Sequence, residues 1–484
     1  MRKLRRLAVW VGGALALVVL AIVVVRAIEA QRGPGLSLWH KVVPPELSIA
    51  ELDHADWAGW MAAENRAFAV VQREVTAALP PEDQAPVNRF FAASPMHTPR
   101  LATDWNRSFV LQPDGTPLGV AVLLHGLTDA PFSMRHLAQQ YREAGFLAIG
   151  LRVPGHGTVP AGLTDVTWEQ WMAAVRLAVR EARVRVPAGR PLHLVGYSNG
   201  GALALKYALD SVADQRLARP DQVVLLSPMI GVTAFARFAG LAGLPAFLPA
   251  FAAAAWLDIL PEFNPFKYNS FPVNAARQSH RLPTAVQAQI DALTANGQIA
   301  RLPPVLTFQS VVDATVSTRA VLTGLYARLP ANGSELVLFD VNRNAKAGPL
   351  LTPAAATAIT GLQPVGAQRF RLTLITNASA DSPEAVERST AAGSTAMTET
   401  PLGLSWPREV FSLSHIALPF PPQDGLYGNM PDPTDDFGLQ LGAVALRGER
   451  CVLVTSLDSL IRVSSNPFFA YVSARLGAVI RPAQ

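Results

Sequence analysis

The sequence has one cysteine, Cys451, among 484 residues. An internal disulfide needs two cysteines and a cysteine-based metal site needs several, so both are excluded. Charged residues are also scarce, at 16%, whereas 50% of the residues are hydrophobic. This balance excludes general disorder and is sufficient for a large buried core. The sequence also contains no internal repeats.

Outside the N-terminus, the chain has no excess of positive charge. The formal net charge is +5, but the first 26 residues contain no acidic residue and five basic ones, Arg2, Lys3, Arg5, Arg6 and Arg26. The remaining basic residues balance the 36 acidic ones. The composition therefore gives no support to nucleic-acid binding.

The N-terminus contains an uncharged run, Leu7 to Val25, between "MRKLRR" and Arg26. At about 1.5 Å per residue this run spans roughly 28 Å, close to the bilayer core of about 30 Å. Signal-peptide cores are usually shorter, and "VRAIEAQ" is a poor cleavage site. We predict that residues 1–30 are an uncleaved transmembrane anchor, with a cleaved signal peptide as the alternative. The positive-inside rule then places the rest of the chain on the periplasmic or extracytoplasmic side.

Beyond the anchor, the chain divides by composition. Residues 31–104 are rich in Pro, Ala and Trp and are interpreted as a linker and N-terminal extension with a helix near 55–78. From about 105, short apolar runs alternate with amphipathic stretches, which predicts strands at 119–124, 146–151, 192–196, 222–227 and 304–310 and helices at 132–144, 167–183 and 200–210. This alternation predicts a doubly wound, mostly parallel α/β sheet with ligands at the carboxyl ends of the strands. Residues 105–228 and 301–484 would form its two parts.

Two segments interrupt the alternation. Residues 229–300 begin with an apolar, Ala- and Phe-rich stretch, which we interpret as an apolar cap over the site. A second membrane span is the alternative, but Arg237, Pro245 and Pro249 disfavour it. Residues 342–405 contain one strand-like run, 369–376, followed by a Ser/Thr/Ala-rich stretch that we expect to be a mobile surface loop.

The stretch "VGYSNGG", 195–201, joins an apolar run to a helical one. A turn this abrupt leaves no room for side chains at Gly196 and Gly200 and holds the Ser198 hydroxyl at a helix N-terminus. Serine is a weak nucleophile unless an imidazole, oriented by a carboxylate, takes its proton. Asp313 follows the strand at 304–310, and His415 follows a strand-like run, so these two residues could supply both groups.

Other residues compete for these roles. Asp258 and Asp340 are the reserve acids. His280 is preceded by no strand, and His193 lies inside one. His125 and His156 are expected to shape loops, while Trp168 and Trp171 are expected to be core or interface aromatics.

Acyl transfer also needs donors for a developing oxyanion. "HGLTD", 125–129, directly follows a predicted strand, and Gly126 lets the backbone turn so that the Leu127 amide points into the site. The amide of Asn199, at the start of the helix after Ser198, would be the second donor.

Four segments carry a resemblance to a known family: "VLLHGLTDAPFSMR" (122–135), "LRVPGHGTVP" (151–160), "VGYSNGG" (195–201) and "VVDATVS" (311–317). Together they resemble the α/β-hydrolase superfamily, most of all the serine-hydrolase branch that contains monoacylglycerol lipases, lysophospholipases and carboxylesterases. The resemblance implies Ser198 as nucleophile, Asp313 as acid, His415 as base, and Leu127 with Asn199 as oxyanion donors. The sequence indicates no metal or organic cofactor.

The spacing departs from that family. Asp313 and His415 are 102 residues apart, much farther than in the relatives. We explain this by a strand at 335–341 followed by an insertion, 342–405, before the histidine.

The sequence thus predicts a membrane-anchored serine hydrolase that cleaves carboxylic esters, small-molecule or lipid, with a hydrophobic acyl group. A non-catalytic, membrane-tethered lipid or peptide binder is the alternative from another class. An acyltransferase or aminopeptidase on the same fold also stays open.

Overall fold

The computed structural model describes residues 2–231, 249–344, 362, 366–407, 410–442, 462 and 464–481. Cys451 lies outside these residues. So do Arg237 and Pro245, two of the residues that disfavour a second membrane span. The described strands are β1 Phe109–Leu111, β2 Gly119–Leu124, β3 Phe146–Leu151, β4 Leu192–Tyr197, β5 Gln222–Leu226, β6 Trp256–Asp258, β7 Phe271–Pro272, β8 Val305–Ser310, β9 Glu335–Phe339, β10 Arg371–Asn377, β11 Glu384–Thr390 and β12 Met397–Ser405.

Ten of these strands form one sheet in the order β1-β3-β2-β4-β5-β8-β9-β10-β11-β12. The strands from β3 across to β10 pair in parallel, whereas β1 and the β11–β12 pair are antiparallel. The register places Leu124 opposite Leu151 and Gly196, so the carboxyl ends of β2, β3 and β4 lie level. The predicted mostly parallel sheet is confirmed, and the five predicted strands are among its members.

The helices cover both faces of this sheet. The described helices, not all of which lie on the sheet, are α1 Arg2–Arg32, α2 Leu38–Lys41, α3 Ile49–His54, α4 Trp57–Val71, α5 Arg135–Glu143, α6 Trp168–Val184, α7 Asn199–Ala213, α8 Val273–Ala295, α9 Thr318–Ala320 and α10 Phe469–Ile480. Along β2, Val120, Val122 and Leu124 join the core under α6, α7 and α8, while Ala121 and Leu123 join the core under α5 and α10. Because successive strand residues point to opposite faces, a continuous apolar run is what a strand covered on both sides requires.

The N-terminal extension is tied to the sheet by a buried ion-pair network. Arg152, just after β3, contacts Glu64 of α4 at 2.9 Å and Glu46 at 2.6 Å. The side chains of Arg152 and Glu64 are fully buried. A buried charge of this kind is stable only when it is paired, so the extension packs on the edge of the sheet beside the carboxyl ends of its strands.

The segment expected to be a cap, 229–300, divides into parts. Residues 232–248 lie outside the described residues. Helix α8, at 273–295, packs against α7 and contributes Ala275, Leu282, Val286 and Ile290 to the main core. The structure therefore places 273–295 in the helical layer of the sheet, and the described residues of 229–300 that reach the site belong to its start, to β6, β7 and the turn between them, and to α8.

The expectation of a mobile surface loop in the second half of 342–405 is wrong. Strand β10 adds in parallel to β9, and β11 and β12 continue the sheet as an antiparallel pair. Only part of β11 is buried and β12 is mostly exposed. Antiparallel edge strands need no continuous apolar run, and Thr-rich segments fit them, which is why a search for apolar runs overlooked them.

Helix α1 spans 31 residues. Apolar side chains along it, including Trp10, Leu17 and Val25, are exposed. Near its end, Arg26 donates a hydrogen bond to the carbonyl of Trp256, and the helix lies against the turn at 249–255. Among the residues that the structure describes, no helix combines the length and the hydropathy that a membrane span requires.

Candidate active site

Ser198 lies at the sharp turn between β4 and α7. Its backbone has φ +54° and ψ −115°, a conformation that non-glycine residues rarely adopt. A Cβ on Gly196 would lie 2.3 Å from the carbonyl oxygen of Gly200, and one on Gly200 would lie 2.0 Å from that of Leu124. Both glycines are therefore required by close backbone contacts, and the turn presents the serine side chain above the carboxyl edge of the sheet.

His415 contacts both of the other residues predicted for the site. Its Nδ1 is 2.8 Å from Asp313 Oδ2, and its Nε2 is 2.9 Å from Ser198 Oγ. A carboxylate can only accept, so Nδ1 carries the proton and Nε2 accepts from the serine hydroxyl. The structure thus joins three residues from distant parts of the chain by two hydrogen bonds.

Asp313 is held as a charged acceptor. Its Oδ1 accepts from the amides of Thr315 and Val316 at 2.8 and 2.9 Å, and its Oδ2 also accepts from Gln309 Nε2 at 3.1 Å. Burial alone would raise the pKa of Asp313, but the charge of His415 and these hydrogen bonds outweigh it and lower the pKa. The side chain is fully buried, so this carboxylate can stabilise an imidazolium without contacting substrate.

The segment carrying His415 is fixed by contacts on both sides of it. The Tyr197 hydroxyl donates to the His415 carbonyl at 3.3 Å, and the two rings are 5.3 Å apart. Farther along, Asp424 is paired at 2.8 Å with both Arg135 and His136 of α5 and accepts two backbone amides. Residues 416–442 are thereby held against the helix that follows the loop at 125–129.

That loop, 125–129, lies against the serine. The Val153 amide donates to His125 Nε2 at 3.0 Å, so His125 Nδ1 donates to the Gly126 carbonyl at 2.9 Å. A Cβ on Gly126 would lie 3.4 Å from Ser198 Cβ. The Leu127 amide finds no acceptor among the described residues, and Leu127 lines the same cavity as Ser198. Asn199 is the first residue of α7, where amides lack partners inside the helix.

The cavity above Ser198 has a volume of about 360 Å³. One wall is apolar, formed by Met229, Leu257, Phe271, Ala276 and Ile416. Asp129, Lys267 and Arg462 add charge to the lining. A second cavity of about 290 Å³ adjoins it and shares Thr128, Lys267, Phe271, Ile416 and Arg462 with it.

Sequence reasoning missed the polar groups of these cavities and the residues that support the histidine. Tyr197 directly precedes Ser198 and Gln309 lies four residues before Asp313, so their positions in the motifs could have drawn attention to them. Lys267 and Arg462 belong to no motif, and nothing in the sequence places them near Ser198.

The competing candidates lie elsewhere. Asp340, at the end of β9, contacts Arg343 and Thr376, and Asp258 is exposed. His193 contacts Tyr141, and His280 lies on α8. Burial lowers the pKa of both His156 and His193 to about 4, which keeps them neutral.

The remaining sequence candidates have packing roles. His156 packs against His125 and Trp171, and the Trp171 indole donates to the Pro154 carbonyl. Trp168 lies beneath the Lys206 ammonium. The described residues contain no cluster of three side chains that could hold a metal ion.

The chain is similar to known hydrolases. It matches the family described as "Serine aminopeptidase, S33" over residues 115–339, a little under half of its length. It is 29% identical over 183 residues to the thermostable monoacylglycerol lipase of Bacillus sp. (strain H-257), covering 37% of this chain and 66% of the relative. It is 26% identical over 117 residues to phospholipase YtpA of Bacillus subtilis (strain 168), covering 24% and 42%.

Among solved structures, a soluble variant of monoglyceride lipase from Saccharomyces cerevisiae aligns with a TM-score of 0.38 and 15% identity, covering 48% of this chain and 81% of that one. The fold assignment rests on the sheet order and the family match. The chain spans less than two thirds of the length of both curated relatives.

The sheet order, the strained serine between β4 and α7 and the family match are those of an α/β-hydrolase fold. Within that superfamily the chain resembles the monoacylglycerol lipases. The matched region contains Ser198 and Asp313, whereas His415 lies beyond it.

Proposed function

We propose that this protein cleaves carboxylic esters through an acyl-enzyme formed on Ser198. The observation that supports this most directly is the unbroken path from Asp313 through His415 to Ser198, with hydrogen bonds of 2.8 and 2.9 Å. Nucleophile, base and orienting acid are within the reach that such a mechanism needs.

In the first step, Ser198 Oγ attacks the ester carbonyl carbon while its proton moves to His415 Nε2. The carbonyl oxygen becomes an oxyanion, for which the Leu127 and Asn199 amides are the proposed donors. The carbon–oxygen bond to the alcohol then breaks, and the alcohol leaves with the proton from Nε2. Asp313 stabilises the imidazolium that exists between these two transfers.

In the second step, water replaces the alcohol. His415 Nε2 takes a proton from the water, whose oxygen attacks the acyl carbon. When the second tetrahedral intermediate collapses, the bond to Ser198 Oγ breaks and the serine regains its proton. The carboxylic acid leaves, and the enzyme returns to its starting state.

The acyl group is proposed to be hydrophobic, because the cavity wall formed by Met229, Leu257, Phe271, Ala276 and Ile416 is apolar. The cavity of about 360 Å³ lies within the ordinary range of ligand sites, roughly 300–1,000 Å³. The substrate class is therefore a small-molecule or lipid ester.

The test is hydrolysis of p-nitrophenyl esters graded from acetate to palmitate. We expect activity that rises with chain length, and its loss, by up to about 10⁶ in kcat, in Ser198→Ala. Ser394→Ala, which removes an unrelated serine in the turn between β11 and β12, is the matched control and keeps full activity. Undiminished hydrolysis by Ser198→Ala would refute the assignment.

An aminopeptidase is the second candidate, because the matched family carries that description. A substrate with a free N-terminal ammonium would meet Asp129 in the cavity, but also the two cations Lys267 and Arg462. The net charge of these three side chains disfavours it. Aminoacyl p-nitroanilides compared with p-nitrophenyl esters distinguish the two activities.

We further propose that residues 1–30 anchor the protein in a membrane with the catalytic part on the periplasmic or extracytoplasmic side. The support is the basic cluster before the uncharged run Leu7 to Val25. Full-length protein is expected to resist extraction by alkaline carbonate, and a chain lacking residues 1–30 is expected to be released. Release of the full-length protein would refute the anchor.

A further inference from the structure

Lys267 lies in the turn between β6 and β7, at the boundary of the two adjoining cavities. Its side chain is half-buried, and its ammonium forms no hydrogen bond or ion pair with any described residue. The pKa of Lys267 is lowered, and burial is the largest cause. The negative charge of Asp129 acts in the opposite direction, and the positive charge of Arg462 lowers the pKa further. A second cation therefore lies close to this unpaired one.

Arg462 lines the same two cavities. It donates to Thr315 Oγ1 at 2.6 Å, and its carbonyl accepts from Ser414 Oγ at 2.8 Å, one residue before His415. Its guanidinium makes no ion pair with a described carboxylate. Two cations thus face one cavity boundary, where like charges repel each other unless an anion lies between them.

The carboxylates nearby do not fill that place. Asp129 lines the cavity that contains Ser198, as both cations do, and its charge acts on Lys267, but it forms no ion pair with either cation and does not line the second cavity. Asp313 is behind His415 with both oxygens in use, and Glu262 accepts from the amides of Asn269 and Ser270. The described lining of the second cavity contains Lys267 and Arg462 and no acidic residue.

We propose that the natural substrate is a carboxylic ester whose alcohol part carries an anionic group, a phosphate or a carboxylate, which binds between Lys267 and Arg462 in the second cavity. This rests on the proposed ester hydrolysis. The hydrophobic acyl chain then lies along the apolar wall beside Ser198, and the alcohol part extends past Thr128 into the second cavity. A neutral ester brings no anion to either cation in the second cavity.

The test compares four esters of decanoic acid with the full-length protein, all below their aggregation concentrations. Decanoyl-glycerol and p-nitrophenyl decanoate are neutral, decanoyl-glycerol phosphate carries a phosphate, and decanoyl glycolate carries a carboxylate. We expect kcat/KM for at least one anionic ester to exceed that for decanoyl-glycerol by about 10-fold or more, since a charge-assisted hydrogen bond contributes a factor of this size. A preference for phosphate alone or for both anions identifies the group, and either result supports the proposal.

The variants measure the ratio of kcat/KM for the anionic ester to that for decanoyl-glycerol. Lys267→Met should lower this ratio about 10-fold or more, Arg462→Gln should lower it to a smaller extent, and Lys267→Arg should retain most of it. Lys41→Met, at an exposed position away from the cavities, is the matched control with an unchanged ratio. If Lys267→Met does not fold, the proposal is still tested by Arg462→Gln, by Lys267→Arg and by the comparison of the esters with the wild-type protein.

A wild-type ratio near one, or a ratio that Lys267→Met and Arg462→Gln leave unchanged, overturns the anionic substrate while ester hydrolysis stands. Hydrolysis of none of the four esters, together with no labelling of Ser198 by a fluorophosphonate, overturns the proposed function itself. The two failures are therefore distinguishable.

Discussion

The two sides of the site are built in different ways. The serine side, from β2 to α7, is built on fully buried parallel strands. Its tightest packing is between backbone atoms, as at Gly196 and Gly200, where a side chain would collide with a carbonyl oxygen. The histidine side comes after β10, β11 and β12, which extend the sheet by three strands, and contacts from Tyr197 and from α5 hold it. Local sequence determines the first side, whereas contacts between distant segments determine the second.

Among the substitutions that probe this comparison, the largest effect is expected at Asp313, which orients the histidine between the two sides. Asp313→Asn should lower kcat by about 10⁴ with little change in fold, because an amide can donate to Nδ1 and favour the wrong tautomer of His415. The measurement is steady-state hydrolysis of p-nitrophenyl esters. Asp340→Asn, which changes the reserve acid at the end of β9, is the control and should keep kcat within about threefold of wild type. A loss of kcat in Asp340→Asn and none in Asp313→Asn would reverse the assignment of the acid.

On the serine side, we expect Gly200→Ala to destabilise the fold by about 4 kcal/mol or more, since its Cβ would lie 2.0 Å from the carbonyl oxygen of Leu124. Urea unfolding measures the loss. Gly35→Ala is the control, because a Cβ there meets nothing within 4 Å. Equal stability of the two variants would show that the turn has more room than the structure gives it.

On the histidine side, Asp424→Asn should destabilise the fold by about 2 kcal/mol, because it removes one of the two carboxylates, Asp424 and Asp435, that each lie 2.8 Å from the buried Arg135. Burial would raise the pKa of Asp424, but Arg135, His136 and backbone amides lower it to about 2. Since that pKa is below the usual value of about 3.9, the stabilisation is complete above about pH 4 and is lost as the pH falls towards 2.

Urea unfolding between pH 2 and pH 7 checks this prediction, and the wild-type advantage over Asp424→Asn should shrink in the acid range. Asp432→Asn, an exposed residue of the same segment, is the control. A constant difference between wild type and Asp424→Asn across that range would contradict the ion pair of Asp424 with Arg135.

This difference between the sides explains how far the sequence could predict the molecule. Buried parallel strands and the Ser198 turn follow from runs and glycines that lie next to each other in the chain. Strands β11 and β12 were missed because an exposed edge pair has no continuous apolar run. Lys267 and Arg462 were missed because only the folded chain brings them to the cavity. The position of His415 was predicted, but the contacts of Asp424 that hold its segment were not.

The central claim is that His415 activates Ser198, and the rate at which a fluorophosphonate labels Ser198 tests it most directly. Labelling should occur at Ser198 in wild type, as peptide mass spectrometry can establish, and His415→Ala should slow it by about 10³ or more while the circular dichroism spectrum stays unchanged. Equal labelling rates in wild type and in folded His415→Ala would contradict the account.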